Sequence, residues 1–191
     1  MRSVCVFCGS RRGKKLEYAS STRELAGILV EHNVRLIYGG GNVGLMGILA
    51  DAFLELGGWV EGVIPKVLLG KEMAHRGLSR LHVVESMHQR KALMASLSDA
   101  FIALPGGIGT LEELFEIWTW EKIYYHQKPI GVLDVGDYYR PLRIFLKGMV
   151  EEGFLPGSLL SQIVWESCPQ RLWEGMLTQA SRKSGQKRIN S

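Results

Sequence analysis

An α/β domain built on a mostly parallel sheet is the fold class this sequence predicts, and three observations predict it. Short apolar runs of strand length alternate with longer stretches of helical spacing along most of the chain. The short runs are almost continuously apolar, as in strands buried on both faces, rather than alternating as in strands with one wet face. Glycine-rich turns close several of them: Gly9-Ser10, Gly39-Gly40-Gly41 and Pro105-Gly106-Gly107-Ile108-Gly109. With 191 residues, 46% of them hydrophobic, the chain can fill the core of one such domain.

The elements follow in order. Ser3 to Phe7 is the first strand, closed by Cys8-Gly9-Ser10 and a basic loop, Arg11-Arg12-Gly13-Lys14-Lys15. Leu16 to Glu31 has helical spacing through Tyr18, Leu25, Ile28 and Leu29, and His32-Asn33 ends it. Val34 to Tyr38 is a strand, Gly44 to Leu56 a helix terminated by Gly57-Gly58, and Trp59 to Ile64 a third strand stopped by Pro65. Val67 to Arg80 is irregular and reads equally as a lid, a partner-facing segment or a surface crossover. Leu81 to Val84 is the fourth strand, and Ser86 is placed to cap a helix running to Leu97. Asp99 to Leu104 is the fifth strand, Ile108 to about Tyr125 a long helix, and Pro129 to Leu133 the sixth strand. Tyr138 to Val150 is a helix with Pro141 tolerated near its start. Gln162 to Trp165 is the last strand and Pro169 to Thr178 a short last helix. The predicted architecture is a Rossmann-like three-layer sandwich: residues 1–180 form a single nucleotide-binding catalytic domain and 181–191 a basic disordered tail.

Charge and cysteine content narrow the function classes. All acidic residues precede Ser181, and Arg182, Lys183, Lys187 and Arg188 account for the whole formal net charge of +4. The body is therefore neutral overall, so neither a nucleic-acid nor a membrane partner is expected, and the basic end reads as solubilising. No apolar run approaches the length of a membrane span, and the first apolar run is too short for a secretory signal, so a cytoplasmic protein is expected. Three cysteines, Cys5, Cys8 and Cys168, make no disulfide framework. Cys5 and Cys8 are three apart in a strand and point to opposite faces, which weakens a metal or redox reading of their spacing.

The stretch around Pro105 carries the chemistry. Three glycines in four residues let a ligand approach the backbone, and the N–H groups that open the following helix can hold an anion. Thr110 adds a hydroxyl or caps the helix, and Glu112 and Glu113 fall in its first turn. Gly39, Gly41 and Gly44 fit the dinucleotide pattern G-x-G-x-x-G, but they follow the second strand, and the strand around Glu61 continues past that residue, so a nicotinamide cofactor is disfavoured. Arg90 and Lys91 stand early on their helix, an unfavourable place for cations that a bound anion would explain and that plain solvent exposure would tolerate. His88 reads as an ordinary half-buried histidine. In parallel sheets ligands bind beyond the C-terminal strand ends. Topology alone thus brings Gly9-Ser10, Gly39 to Gly44, Glu85 to Lys91 and Pro105 to Glu113 to one edge.

Pro105-Gly106-Gly107-Ile108-Gly109-Thr110-Leu111-Glu112-Glu113 resembles the PGGxGTxxE motif of the LOG family, the cytokinin riboside 5'-monophosphate phosphoribohydrolases. Met87-His88-Gln89-Arg90-Lys91 resembles that family's second signature, and Gly39-Gly40-Gly41, Gly44-Leu45-Met46-Gly47 and Lys128-Pro129-Ile130-Gly131 also fit. The resemblance covers roughly residues 2 to 165. It implies hydrolysis of the N-glycosidic bond of a nucleoside 5'-monophosphate, AMP or an N6-modified AMP, to free base and ribose 5-phosphate. It also implies a homodimer with each active site near the interface, and no metal, flavin or nicotinamide. By position it makes Glu113 and Arg90 the catalytic pair. Gly106, Gly107, Ile108, Gly109, Thr110, Leu111 and Glu112 become the phosphate and ribose cradle, and Glu72, Arg90, Lys91 and Thr119 further nucleotide-binding positions.

A carboxylate beside the ribose would stabilise positive charge at C1' or orient the attacking water. Glu112 and Glu113 are adjacent and about 100° apart on a helix, so only one faces C1'; the residues leave the choice open and the family motif selects Glu113. A guanidinium is a poor proton donor, so Arg90 is read as neutralising and orienting rather than as an acid. The label "lysine decarboxylase" that such proteins carry does not suit Lys91, which sits beside Arg90 at a helix start rather than in a pyridoxal phosphate site. The competing reading is a non-catalytic nucleotide- or molybdenum-cofactor-binding protein on the same fold.

Overall fold

The computed structural model describes residues 1–70, 74–123 and 125–189, with side chains described as far as Lys183. Among the described residues seven strands and seven α-helices follow in the order β1 (Ser3–Phe7), α1 (Leu16–Glu31), β2 (Arg35–Tyr38), α2 (Gly44–Glu55), β3 (Val60–Pro65), β4 (Arg80–Val84), α3 (Met87–Leu97), β5 (Ala100–Ala103), α4 (Ile108–Lys122), β6 (Ile130–Leu133), α5 (Arg140–Glu151), α6 (Gly157–Leu160), β7 (Ile163–Glu166) and α7 (Pro169–Ile189). Every expected strand is present. All pair in parallel, in the order β4-β3-β2-β1-β5-β6-β7.

That order fixes where the helices go. Right-handed crossovers from β1 leftward to β2 and β3 put α1 and α2 on one face. Crossovers running rightward from β4 through β5 and β6 to β7 put α3, α4 and α5 on the other, and α7 returns to pack beside α1. Two apolar cores result. Leu25, Leu29, Leu49, Phe53 and Trp173 fill the first; Phe101, Leu114, Ile117, Trp118 and Leu146 fill the second. Cys8 belongs to the first and Cys5 to the second, as their spacing requires.

Helix ends obey local rules. Asn33, in the left-handed region at φ 55°, closes α1, with Val34 N donating to Leu29 O at 2.9 Å. Gly58 N donates to Phe53 O at 2.8 Å to close α2. The Ser86 hydroxyl accepts from Gln89 N, the expected cap of α3.

Several expectations need correction. α7 does not stop near Thr178 but runs as far as Ile189. Within it Lys183 reaches back to Glu121 near the end of α4, Nζ to Oε1 3.0 Å. α5 starts at Arg140 rather than Tyr138, after a 3-10 turn over Val135–Asp137. Gly157–Leu160 adds a short helix that the sequence reading did not assign. Glu61 is buried in β3 and accepts from Trp59 Nε1 at 3.1 Å, with Arg35 Nη1 3.3 Å and His82 Nε2 2.8 Å away. It is a structural acid and does not serve the strand-end glycines. Among the described residues no helix is long and apolar enough to cross a membrane.

Candidate active site

The C-terminal ends of β1, β2, β3 and β5 meet at the point where the crossovers change direction. Leu104 N donates to Phe7 O at 2.9 Å and Gly9 N to Pro105 O at 3.1 Å, so the turns after β1 and β5 are joined backbone to backbone. Two tyrosines grip the second turn: Tyr139 Oη donates to Leu104 O at 2.6 Å and Tyr138 Oη to Gly106 O at 2.5 Å. Neither was singled out in the sequence, because they approach from the far side of β6. Gly107 is the N-cap of α4. The first-turn N–H groups of that helix have no intrahelical partners, an arrangement that can hold an anion. Thr110 does not cap the helix; it is buried, with its hydroxyl against Gly106. Glu112 and Glu113 lie past the first turn rather than in it.

Arg90 is the buried cation of the site. Neither solvent nor the α3 dipole holds it. Its Nε donates to Val63 O at 3.1 Å and its Nη2 to Gly39 O at 3.0 Å, across the ends of β3 and β2. An added Cβ on Gly39 would overlap that guanidinium, so the absence of a side chain is what admits Arg90. The crossover after β3 is docked on the same turn. His75 N donates to Gly40 O at 3.0 Å, and His75 Nε2 lies 2.9 Å from Asp51 Oδ1 on α2.

Arg90, Glu112, Glu113, Gly107, Ile108, Gly109 and Thr110 line one chamber of about 290 Å³, with Ser10 and Gly39 from the neighbouring turns. Leu68, Met46, Met87 and Met94 give it an apolar wall that no sequence signal marked. Val6, Phe7 and Cys8 from the end of β1 line the same chamber as Glu113; burial pushes the Cys5 and Cys8 thiols up, and the charge of Glu113 adds to the shift. Glu112 takes the outer position. Lys91 Nζ meets Glu112 Oε1 at 2.5 Å and Glu116 Oε1 at 3.0 Å. Burial disfavours the Lys91 ammonium, but the hydrogen bonds to these carboxylates outweigh it and hold its pKa above the ordinary lysine value.

The other expected site residues divide. Leu111 packs against the second core, and Gly106 lines an adjoining chamber instead. Thr119 is exposed and bonds Phe115 O at 2.7 Å, on the helix face of Glu112 and Glu116. His88 is exposed rather than half-buried. Glu72 lies outside the described residues.

Fold and site together define a class: an α/β protein with a glycine turn opening a helix, and a buried arginine and two glutamates lining one chamber, at the switch point of a doubly wound parallel sheet. A family model described as "Possible lysine decarboxylase" matches residues 46–176. A cytokinin riboside 5'-monophosphate phosphoribohydrolase of Arabidopsis thaliana is 50% identical over 152 residues, 80% of this chain and 71% of that protein. One of Rhodococcoides fascians is 48% identical over 164 residues, 85% of this chain and 83% of that protein. The chain belongs to the cytokinin riboside 5'-monophosphate phosphoribohydrolase (LOG) family. Its fold is also that of the molybdenum cofactor carrier protein of Chlamydomonas reinhardtii, with a TM-score of 0.71 at 16% identity over 94% of this chain and 98% of that one.

Proposed function

We propose that this chain hydrolyses the N-glycosidic bond of adenosine 5'-monophosphate or its N6-modified forms. The observation that carries this reading is the meeting of the α4 cradle, Arg90 and Glu113 in one chamber, in a chain that shares about half its residues with phosphoribohydrolases. The 5'-phosphate sits at the helix start and fixes C1' near Glu113, turning remote binding energy into rate. As the C1'–N9 bond breaks, positive charge grows on the ribose and the Glu113 carboxylate stabilises it. Water supplies hydroxyl to C1' and its proton ends on the departing base. Arg90, charged at any working pH, balances the carboxylate and the phosphate. Glu112, tied to Lys91, is left for the ribose hydroxyls.

A decarboxylase reading fares worse at Lys91. A Schiff-base lysine must shed its proton, whereas two carboxylates hold this ammonium charged. The active form is a cytoplasmic homodimer. Thr119 stands outside its own chamber on a face shared with exposed Ile123, so the nucleotide it would touch is a neighbouring copy's.

The test is a product assay on AMP and N6-isopentenyl-AMP, with bases resolved by chromatography. Free base beside ribose 5-phosphate is expected, and Glu113→Gln should lower kcat by roughly 10²–10³-fold while nucleotide binding persists. Intact nucleotide that still binds would make this a binding protein, and near-normal turnover in Glu113→Gln would remove that residue from its role.

A further inference from the structure

The basic loop after β1 takes little part in the chamber around Arg90. It walls a second chamber of about 500 Å³ on the other side of the cradle. Ser10, Gly107 and Ile108 line both chambers and form the partition. The two sides differ in charge. Arg90 faces Glu112 and Glu113 in the first chamber; Arg11 and Arg12 line the second, and no carboxylate is among the described residues around it.

The second chamber has a fixed frame. Leu45 N donates to Gly9 O at 2.9 Å and Gly9 N to Pro105 O at 3.1 Å, tying the loop to α2 and to the turn after β5. Gly13 sits at φ 74° with the Tyr18 ring where a side chain would be. Tyr18 meets Tyr138 edge-on at 5.8 Å, and Tyr138 in turn holds Gly106 O.

A phosphate held at the start of α4 would lie on the partition. With the ribose on the carboxylate side, where cationic charge develops, its remaining oxygens would be open to the chamber that Arg11 and Arg12 line. A further phosphate would be repelled by the glutamates and attracted by the arginines, which form charge-assisted, two-pronged contacts with such groups. We propose that the second chamber takes the terminal phosphate of a nucleoside 5'-diphosphate, so that ADP occupies the site and competes with AMP. This rests on reading the first chamber as the nucleoside 5'-monophosphate site.

The test is calorimetric titration of the full chain, as Glu113→Gln so that AMP stays intact, with AMP and with ADP. ADP should bind roughly tenfold more tightly, as one added charge-assisted contact allows. Replacing both loop arginines (Arg11→Ala with Arg12→Ala) should bring the two affinities together, and the Lys replacements should restore part of the gap. ADP binding no more tightly than AMP overturns the proposal. So does a preference that survives in the alanine variant, or an equal loss for both nucleotides, which would place the monophosphate itself against the arginines. The titration is independent of turnover: if the unmodified chain leaves AMP intact while the arginine-dependent preference for ADP holds, the hydrolase reading fails and this one stands. Failure of both nucleotides to bind overturns both.

Discussion

Gly39 has no side chain, and the Arg90 guanidinium lies where one would be. Its φ is not in the left-handed region, so alanine there strains no backbone; it displaces only the far end of a flexible side chain. Gly39→Ala is therefore expected to fold with a near-normal Tm and to lose roughly tenfold or more in kcat/KM for AMP, as if Arg90 had been moved rather than removed. Steady-state kinetics beside a thermal melt check this, and unchanged kcat/KM would mean Arg90 does not act from its buried position. The pairing shows what a sequence can and cannot disclose at this scale. Arg90 was legible as a candidate from its odd place on a helix start. Its inward turn was not, because that depends on the carbonyls of Gly39 and Val63, far away in the chain. The Lys91–Glu112 contact was likewise not legible, since it joins α3 to α4.

At the level of elements, α4 is anchored at its end by His126. The ring lies 3.0 Å from Ile117 O through Nε2 and accepts from Lys128 N through Nδ1 at 3.2 Å, an arrangement that suits only the neutral ring. Burial, with lesser repulsion from Lys128 and Lys183, brings its pKa down to about 4. An unfolded histidine titrates near 6.5, so between about pH 6.5 and 4 the unfolded chain binds a proton that the folded one refuses. Stability from this group is present above that window and is lost as pH falls through it. The Tm should decline from pH 7 to pH 4.5, and His126→Gln, which can still donate to Ile117 O, should flatten the decline; parallel profiles would dismiss the histidine. Asp99 and Glu61, both held below their ordinary values, add their losses only at lower pH. The strands were legible because each is a short apolar run bounded by glycine, proline or polar residues. The full length of α7 was not, since the residues beyond Thr178 carry no apolar periodicity of their own. Nor was the docking of the β3–β4 crossover, whose His75–Asp51 contact joins separate elements.

For the whole molecule, exposed apolar side chains are spread over several elements, and one set lies along and just past α4: Ile108 is 88% exposed, Ile123 62% and Tyr125 75%. Covering such a patch with a second copy is the expected state, and light scattering at micromolar concentration should return twice the chain mass; a monomer mass would refute it. The strand order carries one more consequence. β1, the first strand made, is the central one, flanked by β2 on one side and β5 on the other. During synthesis β1 to β4 can assemble as half a sheet, while the other edge of β1 stays open until residues beyond Ala103 have emerged. The Asp99 carboxylate, which receives the Arg2 and Ser3 amides at 2.7 and 3.1 Å, is the clasp that closes this seam at its far end. The cradle and Glu113 belong to the late half, the loop after β1 and Gly39 to the early half. The site is therefore a joint between two instalments of the chain, and a nascent or truncated product that stops short of α4 lacks the helix start and Glu113.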